Sequence, residues 1–452
     1  MNVAVSVDGV KPMSCASRLI AEPVIRLQSL RIKSTDHSNS STNNNSNSDT
    51  EENEIDFSGD TGPLKHWASD VLAKKAVYEG DCVDCWTAES FSDVSNPHAA
   101  AALLKAVLIV LGVVSLPNSS SSSSSTSSSK QEGDHNASSN KSKRAKGLDL
   151  KEYLLGRFGG GIEVVCVSAL PAGSGMGGSS ILAATVLKSV ATLLGLPCSN
   201  TALIYQVLAV EQTLTTGGGW QDQIGAIFGG FKIARSPASL PLQVTVDPLP
   251  VSDRFLSRFQ SRCLLVFTGT QRLAKNTLIN ALHKHALTPT SGIPGSSIAD
   301  LLARHAELAA KELAQQHHHC VSETSAITDV DIDAAVDRLG HVLSHYWLLK
   351  RAMAEGCEPP YISRLMHHLS GLCVGLSLCG AGAGGFLVAI LKADVDRNSF
   401  QRALSSYIKT EETFFESQKM KLSIHQVMVD KEGISARTYE DHQGDLSDFL
   451  FA

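Results

Sequence analysis

The stretch from Ile162 to Leu194 constrains this chain more than any other. An apolar strand, Ile162 to Ala169, runs into Leu170-Pro171-Ala172-Gly173-Ser174-Gly175-Met176-Gly177-Gly178-Ser179-Ser180, and a helical run follows from Ile181 to Leu194. Gly173, Gly175, Gly177 and Gly178 let the backbone bend with its N–H groups turned inward, and the helix start adds the positive end of its dipole. A strand, a glycine-rich turn and a helix in that order make a cradle for an anion, phosphate above all. The run is not the GxxxxGK[ST] nucleotide pattern, because no lysine follows the last glycine. GxGxxG alone is a weak flag, met equally by a structural turn.

Around this unit the sequence reads as a mixture of strands and helices. Val3, Val5 and Val7 alternate as in a half-buried strand, Asp8-Gly9 signals a turn, and Val24 to Ile32 resumes the alternation, so the chain is expected to open as antiparallel sheet. Pro97 precedes an apolar stretch, Ala99 to Val114, which carries Lys105 and falls short of the roughly 20 residues a membrane span needs. It reads as a buried core helix. Further helices are predicted over Leu148 to Phe158 (ended by Gly159-Gly160-Gly161), over Thr201 to Thr213, and near Leu273 to His285, Ile298 to Gln316 and Asp331 to Met353. Leu242 to Val266 reads as strand-rich, Gly380 to Gly385 as a turn, and Phe386 to Leu391 and Ser423 to Val429 as closing strands. Thr35 to Glu54 and Asn118 to Lys146 are so rich in Ser and Asn that they offer little apolar surface to offset chain entropy; both are expected to be disordered insertions.

Composition narrows the class of function. A length of 452 residues gives room for two domains, and a formal net charge of −6 argues against a broad nucleic-acid surface. The opening lacks a basic segment ahead of an apolar one, and ten cysteines are too sparse for a disulfide scaffold, so a cytoplasmic protein with reduced thiols is expected. Cys82 and Cys85 form one CxxC without a second pair at zinc-finger spacing.

The motif Pro171-x-Gly173-x-Gly175-Met176-Gly177-x-Ser179-Ser180 resembles the phosphate loop of the GHMP small-molecule kinases. Leu214-Thr215-Thr216-Gly217-Gly218-Gly219-Trp220-Gln221-Asp222-Gln223 is similar to the L-fucokinase branch of that superfamily, as are Leu265 to Leu273, Gly356-Cys357-Glu358-Pro359 and Gly380 to Phe386. The resemblance implies an α+β, two-domain GHMP kinase fold: an S5-like α+β domain over residues 1–235 and a ferredoxin-like α+β domain over residues 236–452. It implies ATP and Mg2+ as cofactors, with the nucleotide held by Pro171, Gly173, Ser174, Gly175, Met176, Gly177, Gly178, Ser179 and Ser180 and by Gly382 and Gly384 of the third family motif. By the same resemblance Glu211 holds magnesium with Ser180 or its neighbour Ser179, and Asp222 takes the proton of the sugar hydroxyl. Gly218, Gly219, Trp220 and Arg272 are expected to meet the substrate, Arg272 being equally suited to an ordinary surface pair. The implied reaction is transfer of the γ-phosphoryl group of ATP to the anomeric hydroxyl of a free hexose, L-fucose first. A heptose-phosphate kinase and an inactive nucleotide-binding protein are the alternatives; a heptose-phosphate kinase would draw on Arg272 and Lys275 for extra positive charge.

Two departures from the family pattern stand out. Related fucokinases carry glycine where this chain has Ala383. The family's R-x-D-x-x-G-G-W-x-D-x-P sugar motif would lie ahead of the segment matching Asn2 to Val10, and with it the cation expected beside Asp222. No substitute cation is evident in the other motifs, so the chain as written is expected to bind ATP but to phosphorylate L-fucose poorly.

Overall fold

The computed structural model describes residues 2–32, 78–115, 149–171, 173–270, 298–321 and 328–438. Both Ser/Asn-rich segments, the helix expected over Leu273 to His285, Lys275 and Arg272 lie outside them.

The described strands form three sheets, and the first strand links two of them. Asn2–Val3 pairs antiparallel with Phe231–Arg235, which continues to Thr245–Pro248. After Ala4, Val5–Val7 leaves that sheet and pairs with Ser423–Val429 at the edge of an antiparallel sheet ordered Cys373–Leu378, Phe386–Leu391, Cys263–Phe267, Ser423–Val429, Val5–Val7. Ala4 makes the hand-over: its N–H donates to Gly230 O and its carbonyl accepts from Asp430 N–H. The third sheet places Gly161–Ser168 between Met13–Ile20, antiparallel, and Ile25–Ile32, parallel, with Tyr78–Cys85 on the outer side.

The apolar patterning decides which faces are covered. Ala102–Val110, Gly178–Leu193 and Asn200–Thr213 bury their apolar faces in one core with Ile25, Leu27, Ile162, Val164 and Cys166. The five-stranded sheet is covered on one side by the Pro360–Leu369 and Arg397–Thr410 helices, through Ile362, Leu365, Phe400 and Leu404. Its other side packs on Asp253–Arg262 and Asp329–Met353, through Phe255, Phe259, Val336 and Leu339. Cys85 of the CxxC pair is core and Cys82 is exposed.

Two expectations need correction. The strand-rich reading of Leu242 to Val266 breaks over Asp253–Arg262, which is helical. Ser252 caps it by accepting from Phe255 N–H, and Phe255 and Phe259 then fall one helical turn apart on the buried face, a period of 3.6 that prevails over the aromatic strand signal. The apolar helix is also shorter than expected, running over Ala102–Val110 after a left-handed Ala101.

Candidate phosphate-binding and transfer site

The buried strand Gly161–Ser168 delivers the chain into the glycine-rich loop. Gly173, Gly175 and Gly177 take φ of 68°, 76° and 70°, a region costly for any residue with a Cβ. Ser174 between them is buried; its N–H reaches Pro171 O at 3.1 Å, and its Oγ accepts from Met176 N–H at 3.4 Å. Gly177 precedes the Gly178–Leu193 helix with no side chain capping it, so the first-turn N–H groups point outward as an anion site. Ala172 lies outside the described residues.

The second glycine turn closes on the first by backbone contact. A Cβ at Gly380 would stand 2.7 Å from Gly175 Cα, and one at Gly385 would stand 2.3 Å from Ser174 O. Phe386 N–H donates to that same carbonyl at 2.9 Å. Gly382 and Gly384 face Cys357 O and Thr270 Oγ1, which their Cβ atoms would meet at 2.6 and 2.3 Å. Ala383 has a φ of 67°, is buried, and donates its N–H to Cys357 O at 2.5 Å.

Both expected acids reach the loop. Glu211, in the last turn of Asn200–Thr213, is buried and accepts a hydrogen bond from Ser180 Oγ through Oε1. Its Oε2 has no hydrogen-bond partner among the described residues, and Gly218 is pressed against it: a Cβ there would lie 2.1 Å away. A hydroxyl beside a carboxylate with a spare oxygen is the hard-oxygen chemistry that magnesium takes, so these residues fit that ion. Ser179, the alternative ligand, begins the same helix but is exposed.

Asp222 sits in the first turn of the short Gln221–Ile227 helix with its Cβ against Gly177, where an added methyl would come within 3.0 Å. Burial raises its carboxyl above the ordinary range, while the positive charge of Lys350 pulls the other way. Burial, with the Asp222 charge second among the raising effects, also lifts Glu211 against the Ser180 hydrogen bond. The far end of the Asp222 helix is fixed by Lys232, whose Nζ donates to Gly225 O at 2.9 Å, to Gly230 O at 3.2 Å and to Phe228 O.

Residues 144–230 match the model of the GHMP kinases N terminal domain. The chain is 32% identical over 232 residues to the bifunctional fucokinase/GDP-fucose pyrophosphorylase of Arabidopsis thaliana, which covers 51% of this chain and 20% of that protein. It is also 32% identical over 246 residues to the L-fucokinase/L-fucose-1-P guanylyltransferase of Bacteroides fragilis, covering 53% and 23%. The D-glycero-alpha-D-manno-heptose 7-phosphate kinase of Campylobacter jejuni is 26% identical over 223 residues, 49% of this chain and 58% of that one. The chain thus spans about a fifth of the length of the two fucokinase relatives. Its α+β architecture is the one expected of a GHMP kinase.

The fold brings Ser174, Ser180, Glu211, Gly218 and Asp222 to one loop. Gly219 and Trp220 continue that loop into the Asp222 helix, Trp220 standing just ahead of its first residue. Lys350 escaped the sequence reading because it lies in the last turn of the long Asp329–Met353 helix, outside every glycine motif. The available signal was its place one turn after Trp347 and just ahead of Gly356-Cys357-Glu358-Pro359. No helix among the described residues is long and apolar enough to cross a membrane.

Proposed function

We propose that the chain is an ATP-dependent sugar kinase that phosphorylates the anomeric hydroxyl of a free hexose, L-fucose first. The observation that carries this reading is the pairing of Ser180 with Glu211 beneath the glycine loop while Asp222 packs against Gly177 of the same loop. A phosphate site, a metal-type oxygen pair and a base at one point are what phosphoryl transfer needs. The loop N–H groups would hold the nucleotide phosphates, and Ser180 and Glu211 would hold magnesium, which supplies positive charge to the phosphate oxygens. Asp222 would take the proton of the acceptor hydroxyl. The hydroxyl oxygen then forms the new bond to the γ-phosphorus, and the bond to the bridging β-oxygen breaks with its electron pair leaving on ADP.

Fucose as acceptor is supported by the two fucokinase relatives and by the Gly217-Gly218-Gly219-Trp220 run beside Asp222. A heptose phosphate is the second reading, supported by the Campylobacter relative, which the chain matches over a larger share of that protein's length. Sugar-dependent ADP formation with L-fucose, D-galactose, D-mannose and a heptose 7-phosphate separates them. The fucose reading requires the highest kcat/KM with L-fucose; a preference for the phosphorylated heptose would overturn it, and no ADP with any of the four would overturn the kinase reading.

A further inference from the structure

Lys350 is a buried cation without a visible structural task. It is 8% exposed, and among the described residues its ammonium has no ion pair or hydrogen bond. The nearby acid Glu358 is already taken, by Arg351 Nε at 3.3 Å and by Trp347 Nε1–H at 2.5 Å. Aromatic faces flank the ammonium instead, the Tyr346 centroid at 5.5 Å and the Trp347 centroid at 5.8 Å. A charge taken out of water needs a partner of opposite sign, and rings supply only part of one.

The packing sets Lys350 behind the transfer site. Trp347 and Cys357 O stand against Gly382 of the second glycine turn; Gly380 of that turn backs onto Gly175; Gly177, two residues on, carries Asp222. Lys350 thus lies behind the seam where the two glycine turns meet, and its field reaches Asp222 as well as the Cys379 and Cys357 thiols along that seam.

We propose that Lys350 is the positioning cation of the transfer site: from across the seam, beyond ion-pair distance, its charge attracts the Asp222 carboxylate and holds it aimed at the acceptor hydroxyl. The inference rests on the kinase reading above. Lys350 gives up no proton in the step; Asp222 receives the hydroxyl proton and the electron pair of the breaking bond leaves on ADP. Glu211 is the other charge beside Asp222 and bears the same sign, so Lys350 offsets on the Asp222 side the repulsion that the magnesium held by Glu211 would offset on the other. The cation therefore comes from a helix of the C-terminal half, which ties the aim of the base to closure of the second glycine turn on the first.

The test uses the full chain with K350M, K350R and K350A. With L-fucose and Mg–ATP, K350M should lose on the order of 10²-fold in kcat, the scale for a misaimed catalytic group, with KM for ATP near the parent value. K350R should recover most of the loss, and ethylammonium should restore K350A in a saturable way. A K350M enzyme with parental kcat, or one in which only the sugar KM rises, would overturn the proposal, as would equal losses in K350M and K350R without rescue by ethylammonium. A second arm needs no turnover: melting temperatures of K350M, D222N and the double variant should be non-additive, because each charge acts on the other. Additive shifts would overturn the coupling. Should the parent phosphorylate no sugar, the kinase reading alone fails and this cycle still decides for or against Lys350.

Discussion

Gly218→Ala separates a glycine needed by the carboxylate from one needed by the backbone. Gly218 is not among the positive-φ residues, so alanine can adopt its backbone. The obstacle is Glu211: the new methyl would lie 2.1 Å from Oε2 and 2.8 Å from Cδ. Ordinary carbon–oxygen contacts begin near 3.3 Å, so the carboxylate must shift by about 1 Å. Glu211 is buried and bonded to Ser180, which stops it from swinging freely, and giving up that charged hydrogen bond would cost about 1.5–3 kcal/mol. At roughly 2–4 °C per kcal/mol for a domain of this size, the melting temperature should fall by about 3–12 °C. Magnesium-dependent ATP binding should suffer more, by about tenfold or greater, since the displaced oxygen is the one free to take the ion. Gly219→Ala is the control, because nothing lies within 4 Å of its Cβ. Calorimetric titration of ATP with and without magnesium, beside thermal melts of both variants, reads the two effects. If Gly218→Ala bound Mg–ATP as the parent does, Glu211 would have no part in holding the metal.

Ala383→Gly should be nearly neutral: relief of about 1–2 kcal/mol of left-handed strain is offset by about 0.5–1 of glycine entropy and about 0.8 for the buried methyl. A thermal melt showing a gain above about 1 kcal/mol would mean the methyl contributes little or nothing. Lys232→Met removes the ammonium that serves Gly225 O and Phe228 O at the end of the Asp222 helix, Gly230 O keeping its bond from Ala4 N–H, and should cost about 1–3 kcal/mol in chemical denaturation; an unchanged midpoint would refute that role. Burial works to raise the Asp8 carboxyl, but hydrogen bonds from His425 at 2.8 Å and from Gln426 N–H at 2.8 Å outweigh it and hold it below its ordinary value. Its stabilising contribution is therefore present above the unfolded value of about 3.9 and lost as pH falls through the lower folded value. Asp8→Asn should flatten stability against pH in that acid window, and an unaltered acid limb would show that the pair does not contribute.

The parts of the fold that the sequence announced are those where local chemistry leaves one choice. Gly173, Gly175 and Gly177 sit at positive φ, and the strands Phe386–Leu391 and Ser423–Val429 have the bounds read from their apolar runs. Met13–Ile20 and Tyr78–Cys85 went unread, because Ser14, Ser17, Arg18, Asp81 and Asp84 interrupt the apolar pattern; they are strands because Gly161–Ser168 and Ile25–Ile32 supply partners. The candidate site divides in the same way. Glu211 and Asp222 were legible through the resemblance of the Leu214 to Gln223 run and its surroundings to the fucokinase branch, whereas the burial of Lys350 against Tyr346 and Trp347, and its reach to Asp222, arise only when distant segments pack.

The most direct test of the kinase reading compares the parent chain with Asp222→Asn in the presence of Mg–ATP and L-fucose, following ADP by coupled assay and the phosphorylated position by phosphorus NMR. The parent should form ADP only when the sugar is present and place the phosphoryl group on the anomeric oxygen. Asp222→Asn should keep its affinity for Mg–ATP and lose about 10² to 10⁴ in rate, since an amide takes no proton from the hydroxyl. Equal turnover in the two proteins would remove Asp222 from the transfer step and contradict the mechanism.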